Sequence, residues 1–492
     1  MRKRFIINIT FLLIVLFIVP ACDDYLDVEP ETAIGSSAVF QTQEGVLFAL
    51  TGVYTRLKLK GFYGTEFAVI GDAATDNGKI PSDRESAGAN PDRIPFAYTL
   101  NLNAVNTSRL WQDAYVVINN INVILENIDN DNDITENVKN QVIAECRILR
   151  AWAHFCLVRL YAQDYNFTPD QSHPGVPVIT VTGAANRPER NTVGEVFDFI
   201  FGEMNASIPV LQSTEAISRQ DAMYYLNYFS AVAMRATMHF YVTDYAAALA
   251  DANTVVNEGP YTLIENYTTS LYESDGLGEL AFIDDWAGSV IVESESIFQL
   301  YINEDNTQIT TNRSIIDIYT ANNGNAAHAI SNDLLGLYET GDVRNNWYKV
   351  ENIDPHVFKY PGAFGDAKDD TPYPVLRLTE FILMKAECEV RLNGADGLAR
   401  DLVNQITQRA GASMVSTSGN VLIEDIITER RKELAFEGNR LFDLKRLQRG
   451  FTRVDCNLPE NCTVSYPSDL YAWPIPQDEL NGNTNMVQNE GY

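Results

Sequence analysis

The chain has 492 residues, with 36 Lys and Arg against 66 Asp and Glu, a formal charge of −30. A surface this acidic repels polyphosphate backbones and anionic membrane faces, which excludes nucleic acid as a partner. Aromatic residues make up 11% of the chain, enough for a large core with rings left over for the surface, and the length fits either two to four domains or one large helical body.

Residues 1–22 divide into three parts. Arg2, Lys3 and Arg4 supply a positive start, 5–19 is apolar apart from Asn8 and Thr10, and Pro20-Ala21-Cys22 closes the run before Asp23 and Asp24. The run is shorter than the roughly 20 residues a helix needs to cross about 30 Å of hydrocarbon. A basic start, a short apolar stretch and a small residue before the break describe a signal peptide over 1–21. Val19-Pro20-Ala21-Cys22 resembles the bacterial lipobox, in which the Cys becomes the new N-terminus and carries acyl chains such as palmitate. The alternative is an ordinary signal peptidase site with an incidental Cys. At about 0.8 kcal/mol per buried methylene, two or three chains anchor a protein durably in lipid.

Asp129, Asp131 and Asp133 alternate like the start of a calcium loop. Ile134 stands where that loop needs Gly, and Asn140 where it needs a bidentate Glu, so the stretch reads as a solvated turn between helices. Next, 142–161 (VIAECRILRAWAHFCLVRLY) repeats Val142, Cys146, Leu149, Ala153, Cys156 and Leu160 on one helical stripe. A helical pair follows over 225–256, where small Ala residues opposite bulky rings let two antiparallel helices approach. Across 257–372 the periodicity fades and Tyr, Asn, Asp, Gly and Pro take over, which predicts loops and short strands. Residues 380–391, Asn393-Gly394 and 398–409 form another helix–turn–helix, whose pattern fits both a tetratricopeptide unit and a plain helical hairpin.

The search for chemistry yields little. His154, His173, His239, His328 and His356 are scattered, and His154 and His239 read as core residues. Cys146, Cys156 and Cys388 fall in apolar helical text and read as buried thiols, whereas Cys456 and Cys462 (CNLPENC) either stay reduced or close a small disulfide worth about 2 kcal/mol. No metal site and no cofactor is expected, since no C-x-x-C pair or Cys/His cluster occurs. In 429–446 (ERRKELAFEGNRLFDLKR), Glu429, Glu433 and Glu437 are spaced by four with Arg440 three further on, which predicts one shared helix face. Glu433 and Glu437 are then either an acid/base pair, as in a lipid-anchored glycoside hydrolase, or part of an ion-pair network holding the last helices together.

That stretch is also where the chain resembles the SusD/RagB family of Bacteroidetes outer-membrane lipoproteins. Its ER-x-x-EL-x-FEG-x-R-x-x-DL-x-R signature matches almost throughout, and 145–161, 377–391 (RLTEFILMKAECEVR), 402–412 (LVNQITQRAGA) and 473–492 (WPIPQDELNGNTNMVQNEGY) are similar to other family elements in the same order. The resemblance implies a mainly α fold of tetratricopeptide-like helical hairpins forming a right-handed scaffold, with a long loop-rich region and few short strands. It implies an N-terminal region over 22–256 and a C-terminal region over 257–492 (loop-rich 257–372, helical 373–450, tail 451–492) in one compact body. It further implies a binding protein rather than an enzyme: a surface-exposed lipoprotein held in outer-membrane lipid through Cys22, which captures oligosaccharides or peptides for a SusC-like TonB-dependent transporter. Asp23 and Asp24 resemble the family's surface-export tag. Family glycan contacts come from variable loops, so no motif carries them across. From the residues alone, rings with polar neighbours are the candidates: Tyr63 (GFYGT), Trp286 (IDDWAGS), Trp347 and Tyr348 (RNNWYKV). A ring face packs against sugar C–H groups while adjacent Asp or Asn bonds hydroxyls; loop packing is the alternative for each.

Overall fold

The fold is that of a computed structural model, which describes residues 39–64, 66–79, 107–129, 133–183, 187–213, 216–219, 222–264, 273–274, 280–281, 294–302, 328–351, 354–357, 359, 371–455 and 462–492. Helices dominate them: α1 (Gln43–Leu57), α2 (Glu66–Ala73), α3 (Thr107–Asn127), α4 (Glu136–Tyr161), α5 (Val193–Ser213), α6 (Tyr228–Tyr241), α7 (Tyr245–Glu258), α8 (Asn332–Leu335), α9 (Leu378–Asn393), α10 (Asp396–Arg409), α11 (Gly419–Glu433), α12 (Arg440–Arg446) and α13 (Gln477–Gly482). None of the described helices is long and apolar enough to cross a membrane.

From α3 to α7 each helix packs on the next, α7 packs on α9, and α9, α10 and α11 pack on one another. The result is a row of helical hairpins, the mainly α architecture the sequence predicts. Local chemistry sets the hairpin ends. At the start of α6, Asn227 accepts from Ser230 N at 2.9 Å while the Ser230 hydroxyl accepts from Asn227 N at 2.8 Å, a reciprocal cap for two otherwise unpaired amides. Asp244 caps α7 by accepting from Ala247 N. The turn from α9 to α10 uses Gly394 at φ 58°, a left-handed conformation that favours glycine.

The helix predicted over 142–161 begins earlier, at Glu136, and is buried on more than one stripe because α3 and α5 flank it. Its buried polar groups are satisfied locally. Arg150 donates to Glu203 and to Asn122 Oδ1, and Glu145 accepts from Tyr54, Gln141 and Arg219. His154 is fully buried, its Nδ1 2.8 Å from Arg150 O while Nε2 accepts from Ile179 N, and burial pushes it down to about 4. A second, smaller core joins α9, α10 and α11 through Leu383, Ala386, Val403, Ile406, Leu422 and Ile426.

The described strands are short and pair antiparallel: β1 (Gly78–Lys79), β2 (Glu273–Ser274), β3 (Leu280–Ala281), β4 (Ser296–Ile302), β5 (Ala329–Ile330), β6 (Tyr348–Glu351), β7 (Asp354–Val357), β8 (Thr371–Arg377), β9 (Phe451–Thr452) and β10 (Thr463–Val464). One sheet runs β1-β5-β7-β6, so residues just after α2 pair with the strand-and-loop stretch 257–372. β4 lies along β8, with Leu300 opposite Tyr373 and an irregularity between Ser296 and Gln299.

Candidate functional site

The shared helix face predicted over 429–446 is not formed. α11 stops at Glu433, the chain turns through Phe436 at φ 64° and Gly438 at φ 80°, and α12 starts at Arg440. Glu437 therefore lies in the turn, and Arg440 faces elsewhere, donating to both carboxylate oxygens of Asp76 at 2.9 Å.

The ion-pair reading of Glu433 and Glu437 is the one the geometry supports. Glu433 accepts from Arg344 at 2.9 Å, Arg377 at 3.1 Å and Arg409 at 2.8 Å. Burial pushes its carboxyl up, but the guanidinium groups of Arg409, Arg377 and Arg344 together hold it well below the usual carboxylate range. Glu437 accepts from Lys359 at 2.5 Å and from Arg377 at 2.7 and 2.8 Å, and is held low by these cations against its burial. With Glu295, Asp342, Glu429 and Lys432 the cluster contains five cations and five carboxylates, all buried. A general acid needs a raised pKa and access to substrate. Both carboxyls are low, fully ion-paired and buried, so they do not form an acid/base pair.

Two buried lysines close backbone carbonyls at helix ends. Lys359 Nζ donates to Glu433 O and Ala435 O, satisfying carbonyls at the end of α11. Lys445 Nζ donates to the carbonyls of Arg159, Ala162 and Tyr471 at 2.6–2.8 Å, and burial pushes its pKa down to about 7.

Three of the four aromatic candidates are core residues, a correction to the sequence expectation. Tyr63 is 4% exposed, its hydroxyl accepting from Trp152 Nε1 at 2.8 Å and lying 3.6 Å from Cys156 Sγ. Trp347 is 1% exposed beneath Lys359 Nζ, 4.3 Å from its ring centroid. Tyr348 is buried, with its hydroxyl 2.8 Å from that of Tyr338 and its ring edge-on to Phe436. Arg344, close to Trp347 and Tyr348 in sequence, is held by Asp342, Glu429 and Glu433 instead of water. Trp286 and Cys22 lie outside the described residues. Cys462 is disulfide-bonded, while Cys146, Cys156 and Cys388 are free and buried as expected; Cys456 is outside the described residues. Asp131 of the acidic run is outside them too, and Asp129 pairs with Lys139 at 2.5 Å. Among the described residues no group of three or more His, Cys, Asp or Glu is gathered as a metal site would need.

An open cleft of about 380 Å³ lies elsewhere, between α1 and the chain preceding α6. α1 contributes Thr51, Tyr54 and Thr55, and Lys58, which caps its C-terminal end, continues the same spacing of three and four. The opposite wall is Tyr224 and Tyr225, backed by Gln299 and Leu300 of β4. Tyr54 fixes the floor: its hydroxyl donates to Glu145 at 2.5 Å and accepts from Leu226 N at 3.1 Å, and its ring meets Tyr225 edge-on at 4.9 Å. The Arg219 guanidinium lies 4.3 Å from the Tyr225 ring centroid and is neutralised by Glu145. Tyr224 and Tyr225 are only half-buried, and Thr51 and Thr55 bond back to Leu47 O and Thr51 O, leaving hydroxyl lone pairs for a guest. Gly52, next to Thr51 in α1, has open space where a side chain would stand, and Phe48 is 76% exposed. Half-exposed rings, hydroxyls and one ammonium around a concave opening suit a polar ligand with apolar faces. Sequence reasoning missed this cleft because its walls come from three separated segments; the adjacent pair Tyr224-Tyr225 is the one local signal it offered.

The described residues thus form a helical-hairpin scaffold with an open, ring-lined cleft and a buried, charge-balanced joint. Two family models match the chain: "Starch-binding associating with outer membrane" over 24–256 and "SusD family" over 347–492. Two SusD-like proteins of Formosa agariphila are each 25% identical, one over 89% of both chains and the other over 99% of both. A SusD superfamily structure from Bacteroides thetaiotaomicron superposes with a TM-score of 0.78 at 22% identity, covering 91% of this chain and 99% of that one. A structure described as a putative sugar binding protein from Bacteroides vulgatus gives 0.74 at 24% identity, with 92% and 99% covered. Together the two matches, over 24–256 and 347–492, identify the chain with the SusD and SusD-like families.

Proposed function

We propose that this chain is a lipid-anchored protein of the outer-membrane surface that captures glycan oligomers and hands them to a SusC-like TonB-dependent transporter. The family is one of carbohydrate-binding, non-catalytic proteins. The observation that carries the reading to this chain is the α1 cleft, where Tyr224 and Tyr225 offer half-exposed rings beside the hydroxyls of Thr51 and Thr55. Peptide oligomers are the alternative cargo. Cys22 is the proposed anchor, reached through the lipobox likeness of 19–22, with Asp23 and Asp24 as the export tag. Trp286, in the loop-rich stretch, is a proposed additional ligand contact.

We also propose that 22–256 and 257–492 form one body. Support comes from ion pairs and hydrogen bonds between the two parts: Arg431 and Arg440 on Asp76, and Gly438 N donating to Asp72 Oδ2 at 2.6 Å. We propose Cys456 as the disulfide partner of Cys462, supported by the antiparallel pairing of β9 with β10 and by Arg453 N donating to Cys462 O at 2.8 Å.

Titration calorimetry against a panel of oligosaccharides and peptides tests the function. Saturable heat with a glycan is expected, and turnover of any panel member by the purified protein would count for the hydrolase reading instead.

A further inference from the structure

Lys58 differs from five of the chain's buried arginines. Arg344, Arg377, Arg409, Arg430 and Arg446 each face two or more carboxylates. Lys58 lines the α1 cleft, is more than half enclosed, and makes no ion pair among the described residues. Burial pushes its pKa down from the usual lysine value, and no carboxylate among the described residues raises it. Among the described residues none that lines the cleft is acidic, although Asp and Glu outnumber Lys and Arg by 66 to 36 in the chain as a whole. Glu145, which holds the Tyr54 hydroxyl at the floor, is fully buried and already accepts from Tyr54, Gln141 and Arg219.

A half-desolvated ammonium left unpaired in an acidic protein costs free energy that a hydrogen-bonding anion would recover. Beyond about 8–10 Å at physiological salt the negative surface is screened, so the local ammonium dominates inside the cleft.

We propose that the cleft selects acidic sugars, glycans bearing a uronate carboxylate or a sulfate ester, with the anionic group on Lys58 Nζ and a sugar face against Tyr224 and Tyr225. The proposal rests on the glycan-capture reading and narrows its substrate class. Neutral glucans would leave Lys58 without a counter-charge, whereas an acidic residue supplies one at the floor of the ring-lined wall.

The test compares matched pairs on the full-length protein in detergent: oligogalacturonate against its methyl ester, and carrageenan oligosaccharides against their desulfated forms, within a broader panel of acidic and neutral oligosaccharides. Some acidic member is expected to bind about tenfold more tightly than its neutral counterpart, the size of one charge-assisted hydrogen bond. That ratio should fall towards one in Lys58→Met and be kept in Lys58→Arg, with unchanged circular dichroism showing that both variants fold. The arm that responds tells carboxylate from sulfate. A ratio near one in the wild type, or one that survives in Lys58→Met, overturns the acidic-sugar inference and leaves glycan capture standing. Absence of binding to every member overturns both.

Discussion

Gly71 of α2 stands against Gly438 so closely that a methyl group added at Gly71 would overlap the Gly438 carbonyl. Asp72 reinforces the contact by accepting from Gly438 N at 2.6 Å. The turn that ends α11 is thereby locked to the N-terminal part of the chain. Gly71→Ala is expected to destabilise the protein by about 3 kcal/mol, the upper end for overpacking a filled core. Urea denaturation measures it, and a midpoint within error of wild type would show that the backbones separate freely.

Glu433 gives a second prediction with a defined pH dependence. Its carboxyl is held well below its ordinary value of 4.5 by Arg409, Arg377 and Arg344, despite burial. A depressed carboxylate stabilises the native state above its unfolded pKa, and that stabilisation is lost as pH falls through the folded value. Glu433→Gln removes the charge while keeping the shape, leaving buried guanidinium groups under-compensated at a cost of about 3–5 kcal/mol near neutrality. The gap between variant and wild type should be constant above about pH 5 and narrow below it. Denaturation midpoints at pH 7 and pH 3 check this; an equal gap at both would contradict the assignment.

Lys445 closes three carbonyls with one side chain. Lys445→Met fills similar space but leaves them unpaired, at about 1–3 kcal/mol for each carbonyl that water fails to reach. A clear loss of thermal stability is therefore expected by calorimetry, and a neutral outcome would mean that solvent enters the end of α4.

The N-terminal proposal has its own test. Cys22→Ala should move the protein from the membrane fraction to the soluble one. Persistent membrane association would remove Cys22 as the anchor. Non-reducing peptide mapping should recover Cys456 and Cys462 in one linked fragment.

The hairpins were legible because their signals are local: Val142 to Leu160 keep one stripe, Asn393-Gly394 ends a helix, and small Ala residues recur where α6 meets α7. The break after Glu433 was not, since Leu434 and Phe436 continue an apolar helical pattern and only the tertiary contact of Gly438 with α2 explains the turn. Tyr63, Trp347 and Tyr348 misled for a related reason. Polar neighbours in sequence imply water, but Arg344, near Trp347 and Tyr348, is paired across the fold with Glu429 and Glu433. The cleft was illegible because residues 51–58, 224–225 and 299–300 meet only after folding.

Titration of a glycan panel into wild type and Tyr225→Ala bears most directly on capture at the α1 cleft. Saturable binding by wild type, weakened about tenfold or more when the ring is removed, is the result expected from the loss of one stacked aromatic contact. Wild-type binding left undiminished in Tyr225→Ala would contradict it, as would the absence of any glycan binding.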